Sequence, residues 1–450
     1  MWRPKDADNR KPVDQATRTP YQAPNAGIAG RVGTEFHRFQ TFSSGAKSPK
    51  AYWNWLRANA EMLRGSGQIK ARPLKITFDP TNVCQLRCPL CPTGLQIQNR
   101  ETTRARLEVF ERLMEEVGDY VFFVDLYNWG EPLLNKKLTD FIEAANRKRV
   151  STRISTNLSM RMSDNRLREL IKSGLNHMIV SLDGASRETA GTYRRKGDFD
   201  LVIANMKRIV RLKRELGSQT PYLVWRFLVF RFNEHELSEA ARLAREIGVD
   251  RFTVAPAYLD EGDYDIPPED RELMKTWVPT DPRLTHYDPM QATEAKPGKL
   301  RKRDTRRKAK SRCDWHYTST AINADGSVAP CCAMHKKKDD FGTISASKDG
   351  RYMNVVNNSK FVSIRNYFAG RSQQPTGLVC DDCPAPDLMN YAKSLNRAIA
   401  MVTLTAFLTW AGRPFRFLFR RYVNRFYGRT AIDSPVPISD IEVSESLTQT

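Results

Sequence analysis

Residues 74–94, LKITFDPTNVCQLRCPLCPTG, place three cysteines directly after a short apolar segment. Leu74, Ile76 and Phe78 alternate with polar residues, which predicts a β-strand. The cysteines that follow have a C-x3-C-x2-C spacing and are Cys84, Cys88 and Cys91. This combination of a strand and a cysteine loop is the point from which the rest of the chain can be interpreted.

Three thiolates on one tight loop suit an iron–sulfur cluster, because soft sulfur ligands favour such clusters. A fourth iron would then lack a protein ligand and could bind a substrate or cosubstrate. Zinc is the alternative. A structural zinc usually takes four protein ligands, and no fourth Cys or His lies close by in the sequence.

Strand and helix patterns alternate from Leu74 to about Ala255. Ser163 is a candidate N-cap of one of these helices, which we expect to end at Gly174. Six βα repeats predict an α/β fold with a parallel sheet, either open or closed into a partial barrel. Polar residues at successive strand ends should meet at one edge of such a sheet. The further strands are predicted at Val121–Asn128, Val150–Thr156, His177–Asp183, Tyr222–Phe230 and Arg251–Pro256.

A second set of cysteines lies in the C-terminal part of the chain. Two groups that are distant in sequence can close one site, which is typical of a structural zinc or of a fully ligated cluster. Spacing alone leaves both alternatives open. The set comprises Cys313, Cys331, Cys332, Cys380 and Cys383.

With these motifs the chain resembles the radical SAM superfamily from about residue 71 to about residue 385. The resemblance implies a partial (β/α)6 TIM-type barrel followed by a small C-terminal α+β auxiliary-cluster domain. It also implies that Cys84, Cys88 and Cys91 hold the [4Fe–4S] cluster that cleaves S-adenosyl-L-methionine (SAM). The family's Gly-Gly-Glu-Pro segment reads Trp129-Gly130-Glu131-Pro132 here, so Trp129 replaces the first glycine.

The same resemblance implies a set of SAM-binding residues at the strand ends. Arg194, in the segment YRRKGDFD, is similar to the arginine that meets the SAM carboxylate. The full set is Gly130, Glu131, Pro132, Ser155, Asn157, Ser181, Asp183, Arg194 and Ala255. No catalytic residue beyond the cluster ligands is assigned.

The second cysteine set resembles the SPASM/Twitch auxiliary domain in its short form. The resemblance implies one auxiliary [4Fe–4S] cluster on Cys313, Cys331, Cys380 and Cys383. Cys332 remains either a small buried apolar residue or an alternative ligand. Four protein ligands would leave no open iron, so we expect this cluster to transfer electrons, with a structural role as the alternative.

The expected activity is reductive cleavage of SAM to a 5′-deoxyadenosyl radical that abstracts hydrogen from a substrate. The outcome would be a net oxidation or modification of a peptide or protein, or of a sugar or lipid-linked small molecule. A one-electron donor such as flavodoxin or ferredoxin is the expected partner. The alternative from another class is a zinc-stabilised RNA- or membrane-binding protein without catalysis.

The chain has 450 residues and a formal net charge of +21, which raises the question of nucleic acid or membrane partners. We disfavour nucleic acid, since no RRM, KH or helix-turn-helix signature occurs. Residues 398–412 are mostly apolar, and Arg413–Arg429 interleaves arginines with aromatics. This composition favours an interfacial anchor on anionic lipid, with a helix packed on the core as the alternative.

The first 20 residues lack the apolar stretch of a secretory signal, so we expect a cytoplasmic protein, peripheral on the membrane through residues 398–429. Tyr52, Trp55, Leu56, Ala60 and Leu63 have helical spacing and predict a helix packed on the next domain. The predicted divisions are a disordered tail (1–48), a helix (49–70), the barrel (71–290), a basic loop (291–312), the auxiliary domain (313–390), an amphipathic segment (391–429) and an acidic tail (430–450).

Overall fold

The fold is taken from a computed structural model. It describes residues 47–256, 276–281, 284, 313–345, 350–383, 395–396, 399–400 and 442–443. The predicted tail at 1–48 and the basic loop at 291–312 lie outside the described residues, apart from positions 47 and 48. Most of the amphipathic segment and of the acidic tail also lies outside them. Within the described part, no helix is both long enough and apolar enough to cross a bilayer.

The chain alternates strands and helices through its first half and adds a smaller α+β part after residue 313. The strands are β1 (Lys75–Phe78), β2 (Phe123–Asp125), β3 (Ser151–Thr156), β4 (His177–Ser181), β5 (Tyr222–Val229), β6 (Arg251–Pro256), β7 (Ser319–Ile322), β8 (Ser327–Ala329), β9 (Gly342–Thr343) and β10 (Glu442–Val443). The helices are α1 (Pro49–Arg64), α2 (Pro92–Leu95), α3 (Leu107–Val117), α4 (Leu138–Arg147), α5 (Asp164–Lys172), α6 (Arg187–Tyr193), α7 (Phe199–Glu215), α8 (Leu237–Ile247), α9 (Trp315–Thr318), α10 (Tyr352–Val355) and α11 (Ser359–Phe368).

The six predicted strands of the repeat form one parallel sheet in sequential order, β1 to β6. The whole sheet has the order β10-β6-β5-β4-β3-β2-β1-β7-β8-β9, and its two ends are not paired with each other. The expectation of a partial (β/α)6 barrel is therefore confirmed. Most predicted strands are longer than the observed ones, because residues such as Tyr127 and Asp183 leave the ladder to form the loops of the site.

Alternation along each strand separates a helix-covered face from an inner face. Ile76, Val124 and Ile154 belong to the buried core under the outer helices. Their neighbours on the same three strands face the other way, because successive side chains of a strand point to opposite faces. Four of the described helices, α5, α6, α7 and α11, begin at a side-chain cap. Ser163 accepts from the Arg166 backbone N–H at 3.2 Å, as predicted for α5.

The auxiliary part is joined to the barrel through the sheet itself. β7 pairs in parallel with β1 along its whole length, from Lys75 opposite Ser319 to Phe78 opposite Ile322. β8 and β9 continue antiparallel from β7. The sequence divides this region into two domains but does not predict a shared sheet.

The prediction for α1 is correct for the helix and for Tyr52 and Trp55, which pack on a buried cluster, and it is wrong for Leu56 and Leu63. Ala51, Asn54, Ala58 and Glu61 are the buried positions of the helix. Leu56 and Leu63, which we expected to pack on the next domain, are 56% and 70% exposed. The physical reason is that Asn54 and Glu61 satisfy backbone groups of residues 70–72 and so turn their own face inward.

Candidate iron–sulfur and SAM site

The three cysteines of the first motif lie on a loop between β1 and α2 and contact an apolar cluster. Cys88 is buried in this cluster, and Cys84 and Cys91 are packed against it. The loop is closed by backbone hydrogen bonds from Cys91 to Cys88 at 3.2 Å and from Arg87 to Arg195 at 3.0 Å. The buried members of the cluster are Leu86, Cys88, Tyr193, Phe230, Trp277 and Val278.

Burial raises the pKa of the Cys84 thiol to about 12 and that of Cys88 to about 11. The negative charge of the neighbouring thiolates adds to the effect of burial on the pKa of Cys84 and Cys88. The positive charge of Arg194 and its hydrogen bond to Cys88 lower the pKa of the Cys88 thiol and so oppose the effect of burial. A cationic group beside buried thiolates suits a site that must hold a multinuclear, sulfur-ligated centre.

The segment after β2 packs directly against the start of the cysteine loop. A Cβ added to Gly130 would lie 1.7 Å from the carbonyl oxygen of Thr81, so no larger residue fits here without movement. The Glu131 backbone N–H donates to the Val83 carbonyl at 2.8 Å. Thr93, on α2, donates from its hydroxyl to the Trp129 carbonyl at 2.8 Å. Pro132 begins the 3-10 turn that follows.

Glu131 connects the ends of β2 and β3 and is only 2% exposed. Its carboxylate accepts from the Thr156 hydroxyl at 2.6 Å, from the Asn157 backbone at 2.8 Å and from the Leu133 backbone at 3.1 Å. Burial raises its pKa to about 7 against these hydrogen bonds. With its oxygens engaged in this way, the side chain positions the loop that carries Asn157.

Asn157 links β3 to the cysteine loop. Its amide nitrogen lies 3.7 Å from the Cys84 sulfur, and its amide oxygen accepts from Gln85 at 2.8 Å. The distance to sulfur is within the range of an N–H···S hydrogen bond, which would lower the electron density on a thiolate. Gln85 was not singled out from the sequence.

Polar side chains at the ends of β3 and β4 converge as predicted. The hydroxyl oxygens of Ser155 and Ser181 lie 3.3 Å apart. Asn157, Ser181 and Arg194 line the same small cleft. Ala255, at the end of β6, is buried and lies in register with Leu228, which packs on the cysteine cluster.

Asp183 and Arg194 form an ion pair at the edge of this cleft. Arg194 Nε donates to Asp183 at 2.6 Å, and the second carboxylate oxygen accepts from the Leu228 backbone at 2.8 Å. Burial raises the pKa of Asp183. Burial alone would lower the pKa of Arg194, but Asp183 and Cys88 outweigh it and raise that pKa. Asp183 therefore fixes the guanidinium beside the cysteine loop.

The second cysteine set is brought together from the segment before α9, the loop after β8 and the segment before residue 384. Burial is the main reason that the thiol pKa rises at Cys313, Cys331 and Cys380. Cys313 interacts electrostatically with Cys383, Cys331 with Cys332, Cys313 and Cys380, and Cys380 with Cys313 and Cys383. The four residues predicted as ligands of one auxiliary cluster thus form one connected group.

Cys332 packs on the same apolar cluster as Cys313 and Cys331, and it also interacts with groups on the inner face of the sheet. Burial raises its thiol pKa, and its next strongest interactions are with Lys75 and Asp125 on the inner face of the sheet. Asp125 accepts from Lys75 at 2.7 Å and from two nitrogens of Arg153 at 2.8 and 2.7 Å. Burial raises the pKa of Asp125, but the two cations outweigh it and hold the pKa at about 2. Cys332 therefore lies between the auxiliary group and the barrel interior.

Asp79 and His335 both contact the segment after β2, and the sequence indicated neither of them. Asp79, which directly follows β1, is 1% exposed and accepts from the Trp129 and Gly130 backbone N–H groups at 3.2 and 3.5 Å. The ring of Trp129 packs edge-on against His335 of the auxiliary part, with centroids 5.6 Å apart. The unusual tryptophan of the glycine-rich segment thus contacts the second cysteine region.

Arg100 is a further connection that the sequence did not indicate. Its side chain is 3% exposed. The guanidinium makes two bonds to the Asp340 carboxylate, at 2.6 and 2.7 Å. It also donates to the carbonyls of His335 and Lys336 and to the Ser327 hydroxyl. Arg100 follows the cysteine loop, so this network ties that loop to the auxiliary part.

A single zinc ion would need its ligands to converge on one point. In the part of the chain that the structure describes, no group of three or more His, Cys, Asp or Glu side chains is arranged to hold such an ion. A cubane cluster spreads its cysteine ligands over separate irons. The donor set fits a cluster on chemical grounds, and the zinc alternative gains no support.

Comparison with known families agrees with this assignment. Residues 78–244 match the radical SAM superfamily, and residues 313–384 match the SPASM iron–sulfur cluster-binding domain. A PqqA peptide cyclase of Rhodopseudomonas palustris is 27% identical over 197 residues, 43% of this chain and 50% of the relative. A GTP 3′,8-cyclase of Desulforamulus reducens is 27% identical over 171 residues, 38% of this chain and 51% of the relative.

The chain thus spans about half the length of the curated relatives that it matches. Among solved structures, Streptococcus suis SuiB bound to S-adenosylmethionine aligns with a TM-score of 0.48 and 17% identity. That alignment covers 74% of this chain and 76% of SuiB.

Proposed function

Because the chain belongs to the radical SAM superfamily and carries a SPASM domain, we propose that it is an enzyme that cleaves SAM reductively on a cluster held by Cys84, Cys88 and Cys91. The observation that supports this most is the convergence of the cysteine loop, the Gly130–Pro132 segment and the ends of β3 and β4 at one mouth. When bound, the [4Fe–4S] cluster supplies the electron that splits SAM into methionine and a 5′-deoxyadenosyl radical.

In this proposal the chain's own residues bind and orient SAM. Arg194, fixed by Asp183, is directed to the SAM carboxylate, and the hydroxyls of Ser155 and Ser181 are available to ribose or methionine polar groups. Gly130 gives the segment after β2 room to lie against the cysteine loop. Tyr193, Phe230 and Trp277 surround the loop with apolar surface and exclude water.

We propose a peptide as the substrate class, with net oxidation as the outcome. The PqqA peptide cyclases among the relatives support this class, and the GTP 3′,8-cyclase keeps a small molecule as the second candidate. The auxiliary cluster on Cys313, Cys331, Cys380 and Cys383 would pass the electron of a substrate radical onward. A flavodoxin or ferredoxin would supply electrons to the SAM-cleaving cluster.

We also propose that the protein acts in the cytoplasm and that residues 398–429 bring it to an anionic membrane surface. The composition of Arg413–Arg429, with six arginines and six aromatics, supports this. Replacing the six arginines by glutamine in the full chain should weaken binding to anionic vesicles. Unchanged binding would contradict an anchor in this segment.

The central experiment is anaerobic reconstitution followed by iron and sulfide counting and a dithionite-plus-SAM assay for 5′-deoxyadenosine. We expect about eight irons per chain, falling to about four in a Cys84→Ala/Cys88→Ala/Cys91→Ala variant that makes no 5′-deoxyadenosine. A Cys380→Ala/Cys383→Ala variant should lose the other four irons and still cleave SAM. Cys332→Ala is the matched control and should keep about eight irons.

Zinc in place of iron, without SAM cleavage, would overturn the proposal. Loss of four irons in Cys332→Ala would show that this residue is a ligand and that the assignment of the auxiliary set is wrong. If SAM is cleaved as expected, incubation with candidate peptides and with GTP separates the two substrate classes. The substrate that raises the yield of 5′-deoxyadenosine identifies the class.

A further inference from the structure

The outward side of α1 carries large apolar side chains that the described part of the fold does not cover. Trp53, Leu56 and Leu63 are 65%, 56% and 70% exposed. Arg57 and Arg64 are exposed beside them. At 3.6 residues per turn, these five positions fall within an arc of about 120° and extend over about 16 Å. We call these five residues the α1 outer face.

The charge of this face has one sign. Glu61 is the only acidic residue of α1, and it is buried, with its carboxylate accepting from the Lys70 and Ala71 backbone N–H groups at 2.9 and 3.1 Å. Arg371 is exposed at the end of the helix and donates to the Arg64 carbonyl at 3.1 Å. Lys50, at the start of the helix, is paired with Asp119 at 2.7 Å and does not add to the face. The apolar stripe is therefore bordered by three arginines.

The C-terminal part of the chain returns to this helix on its other side. Leu395 and Ile399 belong to the buried cluster that contains Ala51 and Ala58. The Trp55 indole N–H donates to the Asn396 side chain at 2.6 Å. The path of the chain at residue 400 therefore lies beside α1, and the residues that follow begin from there.

The sequence that follows residue 400 argues against the idea that this segment packs on the α1 outer face and covers it. Residues 401–429 contain six arginines and no acidic residue. Packing this segment on Arg57 and Arg64 would bring like charges together, which is unfavourable. A surface that is anionic and apolar at once is instead complementary to the α1 outer face, and by composition also to residues 401–429.

We propose that the α1 outer face docks on an anionic lipid bilayer. Trp53, Leu56 and Leu63 enter the boundary between head groups and acyl chains, and the arginines contact the lipid phosphates. The position of the face is set before binding, because Asn54 and Glu61 bond to the segment that leads into β1, and Ala51 and Ala58 belong to a buried cluster with residues of the barrel. The membrane contact would thus include the globular body itself, and it is independent of the proposed radical chemistry.

The test is flotation of the full-length protein with vesicles of phosphatidylcholine, with and without phosphatidylglycerol. We expect binding that requires the anionic lipid and weakens with salt. Arg57→Glu/Arg64→Glu should weaken it by about 25-fold or more, from about fivefold for each arginine removed. Trp53→Ser/Leu56→Ser/Leu63→Ser should weaken it by about tenfold or more.

The matched control is Lys172→Glu/Lys207→Glu. It changes the net charge by the same amount at exposed positions on α5 and α7. Equal loss of binding in this control would show that only total charge matters and would overturn the proposal. The proposal would also be overturned if both α1 variants bound as well as the wild type, or if the wild type did not bind at all. It would be overturned as well if the protein were a dimer in solution and the α1 variants were monomers. Circular dichroism of each variant verifies that the fold is retained.

Discussion

The pair formed by Asp183 and Arg194 allows a sharp test of the site. Asp183 is 0% exposed and Arg194 is 18% exposed at the side-chain level. In Asp183→Asn, the amide oxygen can still accept from the Leu228 backbone. The amide nitrogen would then face Arg194 Nε, and two donors would meet where a 2.6 Å ion pair now lies.

Removing one partner of a buried ion pair costs about 3–5 kcal/mol, because the other charge is left without compensation. The partial exposure of Arg194 places the expected loss at the lower end, about 3 kcal/mol. At an unfolding entropy of about 2.1 cal/mol/K per residue, or about 0.9 kcal/mol/K for the whole chain, such a loss lowers Tm by about 3 °C. The variant should also bind SAM more weakly, since Arg194 would no longer be held beside the cleft.

The assay is thermal unfolding of the anaerobically reconstituted protein, combined with equilibrium binding of SAM. Asp183→Asn/Arg194→Met should be more stable than Asp183→Asn alone, because the unpaired cation is gone. Glu239→Gln, in an exposed pair with Arg242, is the control and should change Tm little. A Tm for Asp183→Asn that equals that of the control, or no recovery in the double variant, would refute this reasoning.

Three further predictions concern the contacts around the site. Gly130→Ala should lose SAM binding and cluster content, since its Cβ would meet the Thr81 carbonyl at 1.7 Å; full iron occupancy would contradict this. Arg100→Met should leave the Asp340 carboxylate buried without its cation, and it should make the auxiliary part more sensitive to proteolysis than the barrel. Burial raises the pKa of Asp79 from 3.8 to about 7, so the folded state binds its proton more tightly than the unfolded state. Below about pH 4, the protonated Asp79 carboxyl therefore makes its full contribution to the free energy of unfolding. This contribution, up to about 4 kcal/mol, is lost as the pH rises through 7. Urea midpoints from pH 4.5 to 8 should show this decline in the wild type and a flatter profile in Asp79→Asn.

The fold and the centre of the site follow from local sequence patterns. Alternating apolar residues and caps such as Ser163 define the strands and helices, and the C-x3-C-x2-C loop marks the edge where strand ends meet. The radical SAM resemblance adds Gly130 and Arg194, which the structure brings to that edge. These features are predictable because each depends on residues that are close in sequence or that repeat with a fixed period.

The missed features depend on contacts between distant parts of the chain. In the sequence, Asp79 has the pattern of a turn residue before Pro80. Its carboxylate gains hydrogen-bond donors only because the segment after β2 lies close to it in the fold. Arg100 is one of many arginines, and its partner lies 240 residues away. For α1, helical spacing predicts an apolar face, but the hydrogen bonds of Asn54 and Glu61 decide which face is buried.

The pairing of β7 with β1 has a consequence for how the gene can be divided. β1 bonds to β7 along all four of its residues, and the Leu74 and Asp79 backbones extend the ladder at each end. A fragment that stops before residue 319 would expose this edge as unpaired N–H and C=O groups, which invite intermolecular strand pairing. The SAM-binding half is therefore not an independent module, and recombination, truncation for crystallisation or domain exchange should respect a boundary beyond β9.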